Sequence, residues 1–209
     1  AQKRPDLAQA ALAKALAIKP GFPLASHNLA RMSLQEGKIE QARTYYEDVL
    51  RTDAMHAPTL VALANLELAA DHVGVAEKHL QTALRQNPAH PTAAALLARL
   101  YLIQGQPLKA LQSIDAAAKA HTADPALLEV KVMGALATDD LGNARAAADR
   151  LVQVQPKSAD AYIYLANIGV ASGDRQGARR ALLQALNLDP KHFRAKAALA
   201  RLELNDGKV

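Results

Sequence analysis

The chain has 209 residues, of which 50% are hydrophobic but only 3% aromatic, and it contains neither Trp nor Cys. The absence of Cys excludes disulfides, thiolate zinc sites and a Cys nucleophile. The net charge of +5 comes from 25 basic and 20 acidic residues, which are dispersed, without the clustered basic and interleaved aromatic residues of a nucleic-acid-binding surface. We therefore expect no nucleic-acid partner. No apolar run reaches the roughly 18 residues of a membrane span, so we also expect no membrane-crossing segment.

The predicted elements follow a repeat with a period of 34 residues. One phase of the repeat is always Ala: Ala8, Ala42, Ala76, Ala110, Ala144 and Ala178. A second phase holds Gly or Asp: Gly37, Asp71, Gly105, Asp139, Gly173 and Gly207. Apolar residues recur three and four apart on both sides of the Gly/Asp phase, which predicts two helices joined by a turn in each unit. A third phase separates the units with Pro20, Pro88, Pro156 and Pro190.

In chain order, these phases predict a single array of about twelve helices over residues 1–209. Residues 1–22 form a half repeat that supplies only a second helix, and residues 193–209 form a half repeat that supplies only a first helix. The five full repeats between them are 23–56, 57–90, 91–124, 125–158 and 159–192. Repeat arrays normally end in polar capping units, so the two half repeats indicate a piece of a longer protein.

These residues resemble the tetratricopeptide repeat family, whose 34-residue unit has the pattern W-x2-L-G-x2-Y, then A-x3-F, then A, then P. The match is strongest in the second helices. In the first helices, the Trp position of the family pattern is occupied by Ser26, Leu60, Ala94, Leu128, Tyr162 and Lys196. The resemblance implies an all-α fold, a right-handed α-solenoid of antiparallel helix pairs. The repeat 125–158 departs furthest, with Lys131 at the Leu position and Gly134 inside a helix.

Motifs of catalysis, cofactor binding or metal binding are absent from the sequence. The seven His residues form no HExxH pair, and neither a phosphate-cradling Gly-rich loop nor a GxSxG elbow occurs. We read the pair Asp139 and Asp140 as a solvated turn with helix N-capping, because it stands where neighbouring repeats place Gly105 and Gly173. We therefore expect no catalytic, cofactor-binding or metal-binding residue, and no enzymatic activity in this segment.

The family resemblance places one face of the first helices on a concave groove, where we predict the partner-binding residues. A ladder along this face consists of Arg31, Asn65, Arg99, Met133, Asn167 and Arg201. Four residues before the ladder lie His27 and Glu129, and three residues after it lie Leu34, Leu68 and Leu102. Two alternatives remain open: the Leu row packs between neighbouring first helices, and the Arg and Asn side chains only solvate a broad face.

Such a groove suits a protein or peptide with apolar side chains and an acidic residue or C-terminal carboxylate, because Arg forms forked bonds to carboxylates. The predicted function is a non-catalytic protein-interaction scaffold. One alternative is the docking arm of a larger enzyme, such as a glycosyl- or sulfotransferase, with its catalytic domain outside this segment. Another is head-to-tail self-association through the unpaired helices near residues 7–18 and 194–204.

A second resemblance concerns the Ala-rich repeats, with stretches such as LVQVQPKSADAYIYLANIG. They are similar to the bacterial repeat lipoproteins associated with PEP-CTERM sorting and exopolysaccharide export. This resemblance implies a role in envelope export or protein sorting. It also implies a periplasmic, outer-membrane-attached protein with a lipidated N-terminus that this piece lacks; without the resemblance, the expected location is cytoplasmic.

Overall fold

The computed structural model describes residues 5–205, and within them the chain forms twelve α-helices and no strand. In chain order the helices are α1 (Pro5–Ile18), α2 (Pro23–Gln35), α3 (Ile39–Thr52), α4 (Ala57–Ala69), α5 (Val73–Gln86), α6 (Pro91–Ile103), α7 (Pro107–Ala120), α8 (Pro125–Ala137), α9 (Leu141–Val154), α10 (Ala159–Ala171), α11 (Arg175–Leu188) and α12 (Phe193–Asn205). The predicted all-α solenoid fold is confirmed. Each predicted full repeat contains one helix pair, α2 with α3 being the first. The outer ends of the half repeats, residues 1–4 and 206–209 with Gly207, lie outside the described residues.

The helices belong to two compact units, Ala1–Ala93 and Ala94–Val209, which divide within α6. In the first unit, consecutive helices from α1 to α5 pack on one another. In the second unit, α7 packs on α8, and consecutive helices from there to α12 are likewise in contact. No helix within residues 5–205 is both long enough and apolar enough to cross a bilayer.

The predicted turn phase is where the backbone enters the left-handed region. Gly37, Gly105 and Gly173 have φ values of 73°, 70° and 79°. Asp71 and Asp139 take the same conformation, with φ values of 61° and 58°. A residue with positive φ ends a helix and reverses the chain, and Asp tolerates this conformation better than most residues with a side chain. Gly and Asp therefore alternate at one structural position.

Polar side chains next to the helix starts supply acceptors for amides that have no partner within the helix. Asp140, predicted as an N-cap, accepts a hydrogen bond from the Asn143 amide at 3.0 Å. Ser158 and Asp174 cap α10 and α11 in the same way. Several helices also begin with Pro in the first turn, where the missing amide donor costs nothing.

The constant Ala phase forms the contact between paired helices. Five of the six side chains are completely buried: Ala42, Ala76, Ala110, Ala144 and Ala178. Close backbone approach explains the small residue at these positions. Ala8 is the exception and is exposed, because no helix precedes α1 within residues 5–205, whereas each of the other five alanines has the first helix of its own repeat to pack on.

Candidate partner-binding site on the first helices

The predicted ladder lies on the exposed side of the first helices. All six of its side chains are solvent-exposed: Arg31, Asn65, Arg99, Met133, Asn167 and Arg201. Arg31 and Asn65 belong to the first unit, and the other four belong to the second. Arg31 donates a hydrogen bond from Nη2 to Asn28 Oδ1 at 3.1 Å within its own helix. The ladder is therefore accessible in both units.

The row three residues after the ladder is unevenly exposed. Leu34 is 36% exposed, whereas Leu68 and Leu102 are half-buried. Further along the same row, Val170 and Leu204 are 55% and 61% exposed. The Leu row thus combines both readings of its role: its middle members pack partly against the protein, and its other members offer apolar surface to the solvent.

His27 is held within the packing of the first unit. Its Nε2 lies 2.7 Å from Thr59 Oγ1, and its ring meets the Tyr46 ring edge-on with centroids 5.0 Å apart. His56 Nδ1 lies 2.8 Å from the same Thr59 oxygen. Burial, and then the nearby His56, lower the pKa of His27, since both disfavour the charged imidazolium. The His27 ring therefore contacts side chains of α3 and α4.

Three polar contacts connect successive first helices in the second unit. Arg99 Nη2 lies 2.8 Å from Glu129 Oε2, between α6 and α8. The Tyr164 hydroxyl donates to Met133 Sδ at 3.6 Å, between α10 and α8. The third contact joins α12 to α10 through Arg194 Nη1 and Asp160 Oδ1 at 3.1 Å. The ladder residue Arg99 is consequently paired within the chain.

An open cavity of about 370 Å³ lies between these side chains. We call it the Tyr164 depression; it is lined by Arg99, Leu102, Ile103, Glu129, Met133 and Tyr164. Ile103 is 84% exposed and Met133 is 38% exposed, so the depression has an apolar rim. Met is flexible and polarizable, which lets it adapt to differently shaped partners.

The electrostatics of the depression are balanced. Burial, and then the negative charge of Glu129, raise the pKa of Tyr164, so its phenol stays protonated at neutral pH and acts as a donor. Arg99 and Glu129 largely neutralise each other. The depression therefore favours a neutral apolar side chain over a free carboxylate. Arg201, by contrast, is exposed and has no ion pair within residues 5–205.

Sequence reasoning missed four of the residues that shape this face: Ile103, Asp160, Tyr164 and Arg194. For one pair a signal was present, because Asp160 and Arg194 are opposite charges exactly one repeat apart. Tyr164 lies one residue after the position of α10 that is equivalent to His27 and Glu129. Its contact with Met133 depends on how α8 and α10 are rotated about their axes. The described residues contain no group of three His, Cys, Asp or Glu side chains that could hold a metal ion.

Repeated helix pairs whose first helices present an accessible face are the architecture of a helical repeat protein. Sequence profiles described as tetratricopeptide repeat match residues 1–66, 61–125 and 159–192. The chain belongs to the tetratricopeptide repeat family, as the repeat phases predict.

A curated relative is cellulose synthase operon protein C of Pseudomonas fluorescens (strain SBW25), which is 26% identical over 180 residues. The match covers 86% of this chain but 12% of that protein, so this chain spans a small part of its relative.

Solved structures with the same fold include PilF of Pseudomonas aeruginosa and YrrB, described as a tetratricopeptide repeat protein with an unusual peptide-binding site. PilF is 20% identical with a TM-score of 0.78, and the match covers 94% of this chain and 89% of PilF. YrrB is 20% identical with a TM-score of 0.72, and the match covers 95% of this chain and 98% of YrrB. At these identities the likeness shows the fold alone.

Proposed function

We propose that this chain is a non-catalytic interaction segment that binds a peptide stretch of a partner protein along its first helices. The observation that carries the proposal is the Tyr164 depression, a cavity of about 370 Å³ with an exposed apolar rim. Exposed apolar surface next to ordered polar groups is typical of a protein-binding surface. A similar fold with a peptide-binding site is described for YrrB, which supports the proposal.

The chemistry of the face defines the kind of peptide that it suits. An apolar side chain of the peptide would enter the depression, where Ile103 and Met133 offer apolar contacts. The amide of the exposed Asn167, one repeat further on, can pair with the peptide main chain. Arg201 can pair with an acidic residue or a C-terminal carboxylate, since it has no ion pair within the described residues. The proposed ligand is thus an extended peptide with an apolar anchor and an acidic group.

A peptide-display experiment tests this function. Random peptides are selected on the purified chain, and the affinities of the selected sequences are measured by fluorescence anisotropy. The test variant is Ile103→Asp with Met133→Ala, which places a charge at the rim and removes the thioether. The matched control is Leu108→Asp, since Leu108 is 66% exposed but lies on the second helix α7.

We expect the selected peptides to share an apolar anchor and an acidic residue, and to bind the rim variant at least about tenfold more weakly. The control should bind as the wild type does. Far-UV circular dichroism establishes that the variants remain helical. Equal binding to the wild type and the rim variant would show that the Tyr164 depression is not the binding site. Failure to select any peptide would contradict peptide binding itself.

We further propose that the partner belongs to an exopolysaccharide export system of the bacterial envelope. The support is the relative named for a cellulose synthase operon, together with the similarity of the Ala-rich repeats to lipoproteins of such systems. Replacing the chromosomal codons with the rim variant should reduce secreted polysaccharide while protein abundance stays constant. Unchanged secretion would overturn this role and leave peptide binding to be judged by its own test.

A further inference from the structure

The Leu phase of the repeat contains one Lys, and its surroundings differ from those of the leucines. Leu29, Leu63 and Leu97 are 3%, 2% and 3% exposed, whereas Lys131 is exposed at the equivalent position of α8. In α8, Lys131 lies two residues from both Glu129 and Met133, which places it on the opposite side of the helix from the Tyr164 depression. It therefore belongs to a separate surface.

Two cavities flank Lys131, and it lines both of them. The larger, of about 250 Å³, is lined by Ala118, His121, Thr122, Leu127, Leu128, Lys131, Ala146, Ala147 and Arg150. We call it the Lys131 cavity. The smaller, of about 200 Å³, also contains Asp115 and Asp140. In the other repeats a buried Leu fills the space at this position. The Lys131 side chain extends to solvent instead, and the space stays open.

The basic groups of the Lys131 cavity have no acidic partner. Its lining includes Lys131, Arg150 and His121 but no carboxylate. Arg150 donates from Nη1 to the neutral Gln153 at 3.0 Å, and Lys131 has no ion pair within residues 5–205. Two permanent positive charges therefore face one cavity without a counter-charge from its walls.

The two nearby acids lie outside the Lys131 cavity, and neither forms an ion pair with Lys131 or Arg150. Asp115 pairs with Lys119 at 2.7 Å. Asp140 caps α9 by accepting hydrogen bonds from the backbone and side-chain amides of Asn143 at 3.0 and 2.6 Å. Bonding to Asn143 lowers the pKa of Asp140, so this carboxylate stays ionised while it caps the helix.

We propose that the Lys131 cavity binds a small oxyanion, a phosphate or carboxylate carried on a compact apolar group. Arg150 can form forked hydrogen bonds to such an anion, and Lys131 adds a point charge. The Thr122 hydroxyl and the His121 ring are further potential donors. The buried side chains Leu127, Leu128 and Ala147 supply an apolar wall for the body of the ligand.

NMR titration of the ¹⁵N-labelled chain tests the proposal with two probes, phenyl phosphate and benzoate. We expect saturable shifts of residues that line the Lys131 cavity with at least one probe, and the tighter probe identifies the oxyanion. The variant Lys131→Leu restores the residue of the other repeats and is therefore expected to fold. It should weaken binding at least about tenfold, as should Arg150→Gln, because each removes a charged hydrogen-bond donor.

Lys157→Gln is the matched control, since it removes one exposed positive charge of the same unit outside the cavity. It should retain the wild-type affinity, as should the rim variant Ile103→Asp with Met133→Ala. Absence of saturable shifts with both probes would overturn the proposal. So would equal affinity of the wild type and Lys131→Leu, because the shifts would then report general attraction to a basic protein.

Discussion

Arg43 of α3 and Glu67 of α4 form an ion pair that connects two successive repeats, and the Glu67 side chain is only 5% exposed. Glu67 Oε2 also lies 2.9 Å from His72 Nδ1 at the start of α5. The hydrogen bond from Arg43 is the largest cause of the lowered pKa of Glu67. Because the carboxylate is buried, its negative charge is stabilised only as long as both Arg43 and His72 remain in place.

Removing Arg43 should destabilise the protein far more than removing an exposed arginine. Arg43→Ala leaves the buried Glu67 charge without its main donor, and we expect a loss of about 3 kcal/mol in the free energy of unfolding. The matched control is Arg51→Ala, whose partner is Asp48 at the surface, with an expected change below about 0.5 kcal/mol. Urea denaturation followed by circular dichroism measures both, and equal losses would contradict the prediction.

The Glu67 carboxylate also predicts an acid-dependent loss of stability. A carboxyl group whose pKa is lower in the folded state contributes stability above its ordinary pKa of 4.5, and this is lost as pH falls through the folded pKa. Glu67→Gln should therefore flatten the dependence of stability on pH below about 4.5. An unchanged acid slope in this variant would show that Glu67 does not carry the effect.

His27 predicts a second pH dependence, in a higher range. Burial lowers its pKa in the folded state, so the unfolded chain binds more protons, and stability should fall as pH decreases below the ordinary value of 6.5. His27→Phe should reduce the fall in melting temperature between about pH 7 and 5. His79, whose pKa burial also lowers, should account for part of the remaining slope. If His27→Phe keeps the wild-type slope, the prediction is wrong.

The same substitution of Gly by Ala should have opposite effects at a turn and in a helix. Gly105 has a φ of 70° and open space around the position of a Cβ atom, so Gly105→Ala should cost about 1 kcal/mol through backbone strain alone. Gly142 lies within α9, where a Cβ meets Asp140 only at an ordinary 3.7 Å. Gly142→Ala should stabilise by about 0.5 kcal/mol. Thermal denaturation compares the two, and shifts of the same sign would contradict this account.

The constant Ala phase offers a pair of variants with one substitution in two environments. Ala110 is completely buried, and Ala110→Leu should cost about 1–3 kcal/mol because the larger side chain forces paired helices apart. Ala8→Leu occupies the same phase on an exposed surface and should change stability by less than about 0.5 kcal/mol. Chemical denaturation distinguishes the cases. A similar cost at both positions would mean that packing is not the cause.

Head-to-tail association of copies is the alternative hypothesis that the two terminal helices raise. On α12, Phe193 and Leu204 are 80% and 61% exposed, and on α1, Leu7 and Ile18 are 60% and 86% exposed. If α12 of one copy packs on α1 of the next, the contact uses two different surfaces and each copy can add another. The average mass should then rise continuously with concentration. Light scattering should show this rise, and Phe193→Glu should reduce it. A monomeric mass at all concentrations would contradict the hypothesis.

The repeat itself was predictable from sequence because helix formation and turn geometry are local. The spacing of Ala42, Ala76 and their equivalents indicates which side of each second helix is buried. A positive φ at Gly105 or Asp139 requires only a residue that tolerates it. The exposure of the ladder, Asn167 for example, follows from the same helical period.

Only the tertiary structure decided which side chains act together. Arg99 was predicted as a contact for a partner, but it is paired with Glu129, 30 residues away. Tyr164 reaches Met133, and Lys131 reaches the same cavity as Arg150. Such contacts depend on the rotation of each helix about its axis and on side-chain conformations, which a period in the sequence does not specify. The sequence by itself therefore determined the repeat, its turns and its exposed face, whereas packing between helices determined the chemistry that this face and the Lys131 cavity present.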